Sequence, residues 1–257
     1  MTHFKKITDS IFRVEVPFED IYTSVFIVKT QRGTLIFDTA TYGSDIDSYI
    51  LPAIEQVGLK SDIKYVFLSH SHGDHAGGLV RFMQLFPNVQ VITRSQSIAD
   101  TYKISHIPKD REMITDVIEV ITIKGHADDC MALFDKRSKT LLTGDCLQLY
   151  GVYGRGDWGT GIPDADGYFK DLDKLRKMDI KTLIASHDYH PLGHFATDDK
   201  IKEYIDTCEL AVRQLIKFCK SNATLDGDEL RELYKDSFDL PIVSKKVFSK
   251  IKNATER

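Results

Sequence analysis

The chain has no CxxC pair, no stretch near the ~20 apolar residues that cross a bilayer, and no surplus of positive charge. Each absence excludes something. Cys130, Cys146, Cys208 and Cys219 are too scattered for a disulfide scaffold and fit free thiols in a reducing cytosol. The opening MTHFKKITDSIFRVEVP lacks the apolar core of a secretion signal, so a cytoplasmic protein without membrane attachment is expected. A net charge of −4 and a pI near 6.1 leave no global positive field for phosphate backbones, which argues against a nucleic-acid partner.

What is present is ordinary in bulk and unusual in one place. The 257 residues are 42% apolar and 28% charged, as in a soluble globular protein with a substantial core. There is no repeat, low-complexity tract or clear linker, so one domain over 1–257 is expected, with 198–257 a helical extension packed on it. Alternation in IFRVEV and YTSVFIVK, then TLIFD, predicts two or three early strands. SDIDSYILPAIEQVG predicts a helix capped by Ser44, and IKYVFLS a buried strand. Further strands are expected at VQVIT, VIEVITIK, MALFD, KTLLTGD and IKTLIAS. Helices are expected near 95–103, over DADGYFKDLDKLRKM, and repeatedly after Asp198, before a short tail. Strands mixed with helices in both halves predict an α/β layered fold.

The unusual place is LSHSHGDHAGGL. Residues two apart in an extended segment point the same way, so His70 and His72 can converge, while Asp74 and His75 follow where the loop turns into a helix. Imidazole and carboxylate are donors that borderline divalent metals prefer, and Gly73, Gly77 and Gly78 are expected to let the backbone bend. Three other strand ends offer His126, Asp145 and His187. Seven donors exceed the three or four that one zinc ion takes, so the count favours two ions sharing a carboxylate.

On these motifs the chain resembles the metallo-β-lactamase-fold hydrolases. Their H-x-H-x-D-H signature stands here as His70-Ser71-His72-Gly73-Asp74-His75. It is followed in order by Gly125-His126, Thr143-Gly144-Asp145 and Ser186-His187, over about Phe12 to His187. The resemblance implies an αββα sandwich with additional C-terminal helices. It also implies that His70, His72 and His126 hold one metal, that Asp74, His75 and His187 hold the other, and that Asp145 bridges them. Asp38, ending TLIFD, matches an aspartate behind the metal loop that fixes ligand orientation; a turn-forming role is the alternative. Asp128 and Asp129 depart from the family pattern and read best as turn residues. Cys146 reads as a buried thiol rather than a rival ligand. His190 and His194 compete with His187, which is preferred because it directly ends its strand.

Such a site would make a hydroxide between two ions, most simply zinc, with manganese or iron also suited. Lowering the pKa of water from about 15.7 to about 7 is worth close to 12 kcal/mol. The expected reaction is attack on a small carbonyl substrate, a lactone, ester or thioester, in the manner of lactonase or glyoxalase-II-like members, with Asp74 and Asp145 catalytic. Tyr150, Tyr153, Arg155 and Trp158 of the glycine-rich loop, with His190, are candidate substrate contacts. The C-terminal helices could form a homodimer face. Alternatives are a mononuclear iron persulfide dioxygenase, a phosphodiesterase or β-lactamase of the same fold, or a metal-binding module without catalysis.

Overall fold

Six strands, most of them apolar, form one sheet in the first half of the chain. The computed structural model describes residues 3–154, 158–252 and 254. The chain forms two compact units, Met1–Ile121 with Met131–Ser138, and Thr122–Cys130 with Lys139–Arg257.

In the first unit, β1 (His3–Lys6), β2 (Ile11–Phe18), β3 (Ile21–Thr30), β4 (Gly33–Phe37), β5 (Ile63–Phe67) and β6 (Gln90–Ile92) form one sheet in that order. β1 to β4 pair antiparallel, and β4, β5 and β6 pair parallel. The period of two is plain: Phe12, Val14 and Val16 join Val25, Ile27 and Ile36 in one core cluster, while Ile11, Phe26 and Phe37 are buried on the opposite face. Helical segments Gly43–Asp45, Ile46–Ile50 and Leu51–Gln56 run end to end, the middle one a π-helical turn. They lay Ile46, Ile50, Ala53 and Ile54 on that cluster. The N-cap is Tyr42, two residues before the predicted Ser44. Asp45, the third residue of the helix, reaches back to accept the N–H groups of Thr41 and Tyr42 at 3.1 and 2.8 Å.

The first unit also contains β7 (Ile118–Thr122) beside β8 (Met131–Asp135), and the second carries β9 (Thr140–Leu142), β10 (Thr182–Tyr189) and β11 (Gly193–Thr197) in the hydrogen-bonding order β11-β10-β9. In the second unit β9 and β10 are parallel, and β11 returns antiparallel along β10. Asp164 caps the Ala165–Arg176 helix by accepting from the Gly167 N–H, and Asp226 with Glu229 forms a capping box for Gly227–Phe238. The Asp199–Ser221 helix buries one apolar stripe from Ile201 to Cys219. The predicted tail contains a further helix, Lys245–Ile251, whose Phe248 meets Phe218 and Tyr234 in an aromatic cluster. Among the described residues no helix is long and apolar enough to cross a membrane.

Phe248 is fully buried, so Phe248→Ala should lower the unfolding free energy by about 3–5 kcal/mol in a urea titration. A loss below about 1 kcal/mol would remove this last helix from the core.

Candidate metal centre

Parallel strands deliver their loops to one end, and β4 and β5 do so side by side. The chain leaving β4 takes two left-handed residues, Asp38 at φ +64° and Ala40 at φ +56°. This turn is stitched to the histidine loop: Thr39 N–H donates to the His75 carbonyl at 2.7 Å, and Gly78 N–H to that of Ala40 at 3.2 Å. The glycines matter here for a different reason than bending. A β-carbon on Gly77 would lie 2.0 Å from the Thr41 carbonyl oxygen, and one on Gly78 would lie 2.2 Å from that of Thr39. Of these three loop glycines, Gly73 alone has open space around it.

Asp38 is the anchor. It is wholly buried; one oxygen accepts the Ser69 N–H at 2.7 Å, and the other takes the Ser69 hydroxyl at 2.8 Å and His75 Nδ1 at 2.7 Å. Burial raises its pKa, and His75 and Ser69 pull the other way without cancelling that rise. Ser69 Oγ also lies 3.0 Å from His70 Nδ1. The rings of His70 and His72 meet edge-on at 4.6 Å, and those of His70 and His75 stand 4.3 Å apart. His70 and His75 are buried, Asp74 is half-buried and His72 is exposed. With Nδ1 engaged, His75 turns Nε2 toward Asp74 Oδ2, 3.2 Å away.

The second unit gathers its three donors around Asp145, which is 5% exposed. After β9, Gly144 takes φ +55°; Thr143 N–H donates to the Ile184 carbonyl and Ser186 N–H to that of Gly144. His187 Nε2 lies 3.4 Å from Asp145 Oδ1, and His126 Nε2 lies 3.6 Å from Oδ2. His126 itself sits at φ +66°. Gly125 is required beside it, because a β-carbon there would meet the Cys146 carbonyl oxygen at 2.2 Å.

These separations test the donor set. At 3.4 to 3.6 Å the pairs around Asp145 are too long for good hydrogen bonds. Two ligands bound at about 2.1 Å to one tetrahedral ion stand about 3.4 Å apart. Residue types and spacing therefore fit a divalent metal.

One expectation needs correction. β10 does not stop at His187 but runs on to Tyr189. The unpredicted β11 extends it, although its pairing with β9 ends at Ile184 and its register with β11 shifts between Ile184 and Tyr189. His187 therefore occupies an irregular stretch inside the strand. Tyr150 turns to a cavity of about 500 Å³ lined by Leu210, Phe218 and Phe238. Tyr153 stacks edge-on against His190 at 5.2 Å and donates its hydroxyl to the Asp239 carbonyl. Trp158 is exposed and bridges Val152 and Ile242. Arg155 lies outside the described residues. His194 pairs with Asp188, and Cys130 and Cys146 are both buried free thiols, with burial first and Cys146 next pushing the Cys130 thiol well up. Cys130 N–H donates to the Ala127 carbonyl and closes a turn around Asp128 and Asp129. Ser69 and Gln148 carried no sequence signal.

Comparison with known proteins gives the lineage. Residues 19–187 match the model of the metallo-beta-lactamase superfamily. A beta-lactamase-like protein 2 homolog of Caenorhabditis elegans is 23% identical over 253 residues, covering 92% of this chain and 81% of that one. A hydroxyacylglutathione hydrolase of Francisella tularensis is 29% identical over 135 residues, 51% of each chain, so only about half of that relative is spanned. The metallo-beta-lactamase of Pontibacter korlensis superposes with a TM-score of 0.59 at 18% identity, covering 82% of this chain and 98% of that one; it shares the fold. With two mixed sheets, flanking helices and a family model that spans both halves of the donor set, the chain belongs to the metallo-beta-lactamase superfamily and is a metal-dependent hydrolase of that α/β sandwich fold.

Proposed function

We propose that the chain holds two divalent ions and hydrolyses a small acyl substrate, a thioester, ester or lactone. In this reading His70, His72 and His126 bind one ion, Asp74, His75 and His187 bind the other, and Asp145 bridges. The carrying observation is donor spacing. Within the first unit His75 Nε2 lies 3.2 Å from Asp74 Oδ2, and within the second His187 Nε2 and His126 Nε2 lie 3.4 and 3.6 Å from the Asp145 carboxylate, the separations of atoms that share an ion. Zinc suits these donors, with manganese or iron as substitutes. Once bound, such ions supply Lewis acidity toward a carbonyl oxygen and acidify water toward neutral pH.

The remaining work falls to side chains. Asp38 accepts the Nδ1 proton of His75, which fixes the tautomer, keeps the Nε2 lone pair for a metal and strengthens that nitrogen as a donor. Asp74 takes a proton from water and passes it to the departing oxygen or sulfur. The likeness to a hydroxyacylglutathione hydrolase favours an acyl group on a carrier over a phosphodiester. Tyr153, His190 and Trp158 are the candidate contacts for the body of that substrate. Four free, buried thiols suit a reducing cytosol.

Elemental analysis of the protein as purified, followed by a panel of thioesters, lactones, phosphodiesters and β-lactams, tests the reading. Two ions per chain with oxygen-independent acyl cleavage are expected. A single iron with oxygen uptake on a persulfide would sink it. Asp145→Ala should abolish turnover and lower bound metal, and two ions with near-normal activity would remove Asp145 from the bridge. Asp38→Asn should weaken metal binding about 10- to 100-fold. A change under twofold would reduce Asp38 to a loop tie.

A further inference from the structure

The second unit contains a buried polar cluster that the reaction above does not use, with Gln148 at its centre. Gln148 is 5% exposed, and its Oε1 accepts the Gly161 N–H at 2.7 Å. The Gly161 carbonyl in turn accepts the His126 N–H, also at 2.7 Å. That bond clamps His126 in a left-handed conformation, which a residue with a β-carbon keeps only when its surroundings impose it. A β-carbon on Gly161 would stand 3.4 Å from His126 Nδ1, so the same segment backs the imidazole ring.

Tyr189, in the same unit, is 1% exposed and stands two residues past His187, whose ring it meets edge-on at 5.9 Å. Its hydroxyl completes no hydrogen bond among the described residues. Burial and then the Asp145 carboxylate push the phenol's pKa well up, while the Gln148 side chain pulls it down. A phenol hydroxyl can donate one hydrogen bond and accept others. Because Gln148 spends its oxygen on Gly161, its NH2 group is the end left for the phenol. A buried hydroxyl with no closed hydrogen bond is costly unless a small shift completes one.

We infer that Gln148 and Tyr189 are positioning residues that hold the His126 backbone and the Asp145 carboxylate in their metal-receiving orientation. The inference rests on the ligand assignment proposed above. Its residues are separated in sequence, at 126, 145, 148, 161 and 189, yet belong to one unit. It adds a second orienting device to the one Asp38 provides for His75.

Two readouts in the full-length protein test it, one with metal and one without. In competitive zinc titration against a chromophoric chelator, Gln148→Met and Tyr189→Phe should each bind about 10- to 100-fold more weakly than the parent. The double variant should fall well short of the product of the two losses, because the residues act as one unit. In the metal-free protein, Gln148→Met should speed hydrogen exchange at the His126 and Gly161 amides, and Tyr189→Phe should keep a melting temperature near that of the parent. Affinities within twofold of the parent, or unchanged exchange at those two amides, would overturn the inference. Asp145→Ala in the same titration separates the two ideas. If it binds zinc like the parent, the ligand assignment fails, whereas the metal-free exchange still decides whether the Gln148 brace exists. Should Gln148→Met fold poorly, Tyr189→Phe, which removes one oxygen, carries the affinity test alone.

Discussion

One buried carboxylate organises the metal loop. Asp38 is dehydrated by its surroundings and satisfied by three groups from the neighbouring loop: the Ser69 amide, the Ser69 hydroxyl and His75 Nδ1. A buried charge with those bonds in place is stable, and removing any one of them leaves it costly. The bonds that stabilise the carboxylate thus also fix the register of β5 against β4 and the rotation of the His75 ring. Fold and prospective chemistry share the same atoms.

The two units solve the same problem by different means. In the first, donors are crowded within six residues and are held by a carboxylate behind them. In the second, donors come from three distant places, and their approach depends on left-handed residues at Gly144 and His126 and on the bare backbone of Gly125. Local crowding needs an orienting partner, whereas distant convergence needs exact backbone paths. Parallel pairing of β4 with β5 and of β9 with β10 supplies the common geometry, since adjacent parallel strands open their loops on one side.

This difference explains what could be read from sequence. The layered α/β fold follows from apolar alternation and helical periodicity, and Phe12, Val14 and Val16 fall on the core side as their spacing requires. The H-x-H-x-D-H loop announces itself because its donors are local. Asp38 became visible only through family resemblance. Ser69 and Gln148 are not legible, since they matter through contacts across 31 and 13 residues with no periodic pattern to betray them. β11 escaped notice because it is an edge strand with one buried residue in five, so it lacks clean alternation. The helix at Lys245–Ile251 was missed because seven residues give too short a window for a helical period.

The glycine pair behind the histidine loop has a consequence for how this chain can vary. Gly77 and Gly78 would touch neither ion nor substrate, and inspection of the chemistry alone would rate them replaceable. Yet one added methyl group at either site would drive two loops apart and carry the His75 ring with them. Natural drift should therefore find these two sites frozen, while Gly73, open on all sides and far closer to the donors, stays free to wander.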